Sequence, residues 1–147
     1  MDRITDLIAS LEDYLTNINT YMEAATIAAA DTIVDMNIGQ LYDSGEDRNG
    51  NKIQPPYAPV TVQIKRKKGQ PTNRVTLRDT FEWQSSFFVQ YLADGFEIMA
   101  SDWKTDRLKA KYGDSILGLQ DEAVQYLLQN YYLPRLIEEL KNAVYER

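Results

Sequence analysis

Residues Ser44–Thr80 constrain the fold more than any other stretch. The sequence there is SGEDRNGNKIQPPYAPVTVQIKRKKGQPTNRVTLRDT, and it holds four of the five prolines and three of the seven glycines. A proline inside a helix removes a hydrogen bond and clashes with the preceding turn, so the chain cannot be one uninterrupted helical bundle. From Arg48 to Arg78 it carries Arg48, Lys52, Lys65, Arg66, Lys67, Lys68, Arg74 and Arg78, and no acid. The whole chain has 16 basic and 22 acidic residues, so everything outside this stretch nets −14. Such a split suits a basic arm that meets either an acidic surface of a neighbouring subunit or nucleic acid. Screening confines either attraction to about 10 Å at ordinary salt.

Helical periodicity flanks the arm. Ile4, Leu7, Ile8, Leu11, Leu15, Ile18, Met22, Ala25, Ala29, Ile33, Met36 and Leu41 fall at steps of three and four, which predicts one long amphipathic helix over 3–42. Asp2, Thr5 or Asp6 can cap its start, Asn37-Ile38-Gly39 is a place for a kink, and Asp43-Ser44-Gly45 reads as its stop. Ala123, Val124, Leu127, Leu128, Tyr131, Leu136, Ile137, Leu140 and Val144 predict a second helix over 120–146. Pro134 should kink it near Asn130 or Tyr131, or divide it in two.

Between arm and second helix the pattern changes. Trp83–Tyr91 reads as a strand, Ala93-Asp94-Gly95 as a turn and Phe96–Ala100 as the returning strand. A short helix capped by Ser101 or Asp102 runs to Tyr112-Gly113, and Ser115–Leu119 forms an apolar plug. Within the arm, Asp47-Arg48-Asn49-Gly50 is a turn, Val60–Ile64 a short strand or helical turn, and Lys65–Pro71 a solvated loop tip. Leu77–Thr80 suggests one turn of helix. The fold expected is α+β, with a small antiparallel sheet and an extended arm packed against long N- and C-terminal helices. It fits one domain: helix 1–43, basic arm 44–80, hairpin and short helix 81–119, helix 120–147.

Chemistry is scarce. The chain has no histidine and no cysteine, which removes the commonest general base, the commonest metal ligand and any thiol nucleophile. No Gly-rich phosphate loop or nucleophile elbow occurs. The carboxylate pairs Asp79/Glu82 and Glu46/Asp47 read as solvated loop charges rather than an acid and base. No catalytic residue, cofactor, metal, membrane segment or small-molecule substrate is expected. Trp103, Tyr112, Tyr126, Tyr131 and Tyr132 suggest a late aromatic cluster for the core or an interface. Contact with a subunit or with DNA backbone falls to Arg48, Lys52, Tyr57, Lys65, Arg66, Lys67, Lys68, Arg74 and Arg78.

The order of short motifs resembles the bacteriophage virion-morphogenesis or tail-completion family, which includes the Mu-type protein and minor proteins of the neck of long-tailed phages. Asn49-Gly50-Asn51-Lys52 precedes Tyr57-Ala58-Pro59-Val60-Thr61, as the family's turn precedes its proline segment. Lys65-Arg66-Lys67-Lys68-Gly69 matches the basic loop, and Leu77-Arg78-Asp79-Thr80 with Ser85-Ser86-Phe87 matches "L-x-x-T-G" and a Ser-rich strand. Tyr112-Gly113, Ile116–Leu119 and the last helix resemble the family's ending. The likeness covers about residues 40–140. Phe81 stands where the family has glycine after the threonine, and Ile53-Gln54-Pro55-Pro56 replaces a tryptophan. The resemblance implies a non-catalytic structural protein that forms a homo-oligomeric ring as a tail-completion, tail-terminator or head–tail connector component. It would be assembled in the bacterial cytoplasm, sit in the neck or tail of the virion, and contact other neck and tail proteins. The alternative is a nucleic-acid-binding protein acting non-specifically through residues 48–78; a ring lumen carrying DNA would reconcile the two.

Overall fold

A computed structural model describes residues 2–145. The architecture is α+β, with long terminal helices and one two-stranded antiparallel sheet. Helix α1 spans Arg3–Thr16, and Asp2 Oδ1 caps it by accepting from the Thr5 amide at 2.8 Å. The long helical pattern breaks at Asn17, not at Asn37–Gly39, which stays helical. Asn17 donates from its backbone (3.1 Å) and from Nδ2 (2.9 Å) to the Asp13 carbonyl. This local competition for a helical acceptor turns the chain. Helix α2 then runs Ile18–Gly39, widens into a π-helical turn over Gln40–Ser44, and stops at Gly45 in the left-handed region (φ 62°).

Helix α2 is the spine. Ala25, Thr26, Ala29, Ile33, Asn37 and the following Leu41 form its buried stripe. Trp83, Phe87, Ile98, Ile116, Leu117, Leu127 and Tyr132 close the core against it. Trp83 meets Phe87 edge-on with centroids 4.7 Å apart, and its Nε1 donates to Thr105 Oγ1 at 3.1 Å. Strand β1 (Phe87–Leu92) pairs with β2 (Gly95–Ala100) across the turn Ala93-Asp94. Alternation places Phe87, Val89 and Tyr91 beside Ala100, Ile98 and Phe96 on the core face. The first part of the expected strand is instead the helical turn α4 (Glu82–Ser85). Ser85 and Ser86 hydroxyls donate back to the Phe81 and Trp83 carbonyls, both at 2.7 Å, and hold that turn closed.

Helix α5 (Thr105–Tyr112) ends at Gly113, and a 3-10 turn (Asp114–Ile116) inserts Ile116 and Leu117 as the apolar plug. Helix α6 (Asp121–Leu127) leads through a π-helical turn (Leu128–Tyr132) into α7 (Leu133–Tyr145). The wide turn lies where Pro134, lacking an N–H, was expected to kink the helix. The expected extension to 146–147 lies outside the described residues. Helices α1 and α7 pack antiparallel, with Tyr14 Oη donating to the Leu136 carbonyl at 3.1 Å.

Residues 44–80 do not stand off the body awaiting a partner. The turn at 47–50 is closed by Asp47, whose Oδ1 accepts from the amides of Asn49 (2.9 Å) and Asn51 (3.0 Å). The backbones of Glu46 and Lys52 pair in an isolated antiparallel β-bridge, and Ile53, Val75 and Thr76 are buried. Helix α3 (Pro59–Lys67) realises the helical alternative for Val60–Ile64 and extends through Lys65–Lys67 of the expected solvated tip. Pro59 occupies its first turn, where a missing N–H costs nothing. Leu77–Thr80 is irregular rather than helical, with Leu77 at φ 58°.

Candidate assembly and nucleic-acid interface

The structure divides the eight cations of 48–78 by role. Arg48 fastens the arm to the plug: its amide donates to the Ser115 carbonyl (2.9 Å) and its Nη1 to the Leu117 carbonyl (3.3 Å). Lys52 Nζ donates to the Ser44 carbonyl at 2.7 Å, satisfying the end of the π-helical turn. Arg74 Nε donates to the Tyr42 carbonyl at 2.7 Å. Lys68 pairs with Asp79 at 2.7 Å.

Lys65 departs furthest from expectation. It is 8% exposed, on the inner side of α3, not at a solvated tip. Its Nζ donates to the Arg78 carbonyl (2.9 Å) and Gln70 Oε1 (3.3 Å), and lies 4.7 Å from the Tyr57 ring centroid. A buried ammonium is tolerable only with such partners. Tyr57 supports the same corner, its hydroxyl accepting from the Thr76 amide at 2.9 Å. Arg66, Lys67 and Arg78 are exposed and make no ion pair among the described residues. Arg78 stacks its guanidinium on Phe81 (4.7 Å) and Tyr42 (5.0 Å).

Arg78 and Lys65 share a cleft of about 250 Å³ with Lys104 and Arg107 from the start of α5. Beside it Trp103 is 76% exposed, with the Arg107 guanidinium 5.3 Å from its ring. The sequence reading missed Lys104 and Arg107, and it grouped Trp103 with aromatics of the core or an interface. The late aromatics in fact separate: Tyr132 is buried and bonded to Thr26 (2.7 Å), Tyr131 reaches Thr32 (3.0 Å), and Trp103 and Tyr126 face outward. The signal available in sequence was Trp103-Lys104 followed by Arg107, Lys109 and Lys111 on one short helix.

Two acids sit among these cations. Lys68, hydrogen-bonded to Asp79, holds its carboxyl below the usual carboxylate range, aided by Gln70. Glu82 lies 3.9 Å from Lys104 Nζ. An ionised Asp79 is poorly placed to donate a proton near neutral pH. What the cleft offers is cationic heads over aromatic faces, a surface suited to an anionic group. Among the described residues no group of three or more acids is placed to hold a metal.

Several helices also leave apolar side chains uncovered. Ile4, Ile8 and Leu15 of α1, Ile27 of α2, Val60 and Ile64 of α3, and Leu133 and Ile137 of α7 are exposed at helical spacings. No helix among the described residues is long and apolar enough to cross a membrane. Comparison with known proteins finds no matching family model, no similar curated protein and no similar solved structure.

Proposed function

We propose that this chain is a structural virion protein of a tailed bacteriophage, a tail-completion or neck component that assembles as a ring through contacts between copies. The observation that carries the reading is the backbone at Phe81. The resembled family has glycine at this position, after Leu77-Arg78-Asp79-Thr80, and here Phe81 adopts φ 74°. Left-handed geometry is unusual for a bulky residue and is the conformation glycine adopts most easily. The turn thus keeps a glycine-like shape under a different side chain, which supports the motif as more than a coincidence of letters.

Two further features favour assembly. The uncovered apolar positions on α1, α3 and α7 fall in stripes rather than singly, which marks interaction surfaces. The +8 of residues 48–78 and the −14 of the rest of the chain suit unlike patches meeting in a closed ring. Gold-labelled antibody on particles purified from a phage that encodes the chain tests the proposal. Label at the head–tail junction or tail end is expected; a chain absent from particles overturns it.

The cleft lined by Lys65, Arg78, Lys104 and Arg107 favours a second reading, non-specific binding to nucleic-acid backbone with Trp103 stacking on a base. Fluorescence anisotropy with a DNA oligomer would then show affinity falling steeply with salt, and Lys104→Ala with Arg107→Ala would weaken it more than Lys52→Ala. Salt-independent or absent binding removes this reading.

A further inference from the structure

The outward face of α2 carries charge of one sign only, negative. Glu23, Asp31 and Asp35 are exposed, and no basic residue occurs from Ile18 to Gly39. None of the three carboxylates has an ion-pair partner among the described residues. Asp31 and Asp35 stand one turn apart, an arrangement of like charges that weakens a helix unless cations approach. Between Glu23 and Asp31 lies Ile27, 69% exposed, flanked by the small side chains of Ala24 and Ala28. Small neighbours around one apolar knob let a second helix approach closely.

Helix α3 carries the complement. Val60 (62% exposed) and Ile64 (50%) are one turn apart, with Lys67 on the same side and Lys65 buried on the opposite side. Arg66 and Lys67 have no acid of their own. By contrast, the apolar stripe of α7 is bordered by both Glu138 and Lys141 and presents no single sign of charge. Helix α2 joins exposed apolar surface to unrelieved negative charge, and α3 joins it to unrelieved positive charge.

We propose that α3 of one copy docks on the outward face of α2 of the next, with Val60 and Ile64 against Ile27, and Lys67 reaching Asp31 and Asp35. The proposal rests on the ring reading and specifies its contact. The two patches are different surfaces of the chain, so the contact is head-to-tail and repeats from copy to copy until the rotation closes.

The chain has no cysteine, so introduced thiols report position without background. One population carries Ile27→Cys and a second, distinguished by a tag, carries Ile64→Cys. Under mild oxidation the mixture should give the mixed disulfide dimer, and neither variant alone should crosslink efficiently. Asp31→Lys with Asp35→Lys on the first population should cut the mixed product about tenfold, and Lys67→Glu on the second should cut it severalfold. Mixing the two charge-reversed populations should restore it, which also shows that the reversals leave the chain folded. An Ile27→Cys homodimer without mixed product, or mixed product indifferent to charge, overturns the docking. If wild-type chain forms rings and no mixed disulfide appears, the docking is wrong and the ring stands. If wild-type chain stays monomeric and uncrosslinked, both fall.

Discussion

Asn37 has no access to water and is bonded at both ends of its amide. Nδ2 donates to the Ile116 carbonyl (3.2 Å) and Oδ1 accepts from the Gly118 amide (2.9 Å). It joins the spine helix to the plug loop, a role hidden in a sequence where Asn37-Ile38-Gly39 reads as a helix breaker. Replacing it with alanine strands the buried Ile116 carbonyl and the half-buried Gly118 amide, so Asn37→Ala should cost about 2–4 kcal/mol in urea unfolding. Phe81 makes the opposite case. Its left-handed backbone carries strain of about 1 kcal/mol or more, against a cation–π contact with Arg78 worth about 0.5–1 kcal/mol. Phe81→Gly should therefore keep stability within about 1 kcal/mol and leave the circular dichroism unchanged; loss of the fold would count against a glycine-like turn. Asp79 acts through pH. Its carboxyl, bonded to Lys68, titrates below the ordinary 3.8 in the folded chain. The pair therefore stabilises above about pH 4, and this contribution disappears as pH falls through the depressed folded value. Both side chains are about half exposed, so the contribution stays below about 1 kcal/mol. Asp79→Asn should lower stability at neutral pH and match wild type well below the folded value; a difference persisting there contradicts the assignment.

At the scale of elements, the helices and the hairpin were legible because their periods are long and regular, and their ends were less so. The break at Asn17 depends on one side chain competing for the Asp13 carbonyl, which apolar spacing does not register. Helix α3 was only half legible, as a short strand or a helical turn, since Pro59 reads as a breaker unless it is known to fall at the first position. The start of β1 was set by Ser85 and Ser86 closing a turn, not by the aromatic run that begins at Trp83. The stop of the first long helix was read correctly, and Gly45 shows why it is strict. A Cβ there would lie 2.7 Å from Arg74 Cβ, at φ 62°. Its carbonyl also accepts from the Ile53 amide at 2.9 Å, so the arm's return depends on this position. Gly45→Ala should cost about 1–3 kcal/mol by thermal or urea unfolding. A neutral substitution would mean that the arm does not pack here as described.

For the whole molecule, composition marked out the basic segment and overstated its freedom. Charge alone marks Arg48–Arg78 as one basic arm, yet Arg48, Lys52, Lys65, Lys68 and Arg74 are used within the chain to hold that arm down. Arg66, Lys67 and Arg78 remain for a partner, and α5 adds Lys104 and Arg107, which no run of cations in the sequence announces because acids and aliphatics interrupt it. The candidate surface was thus half legible: its location follows from charge, but its membership depends on which cations the fold consumes. The central claim is that copies of this chain close into a ring. Sedimentation velocity of the purified protein, read with negative-stain micrographs of the same sample, tests it most directly. One oligomeric species appearing as closed rings is the expected result. A monomer that persists at high concentration and in the presence of head–tail connector proteins would contradict it.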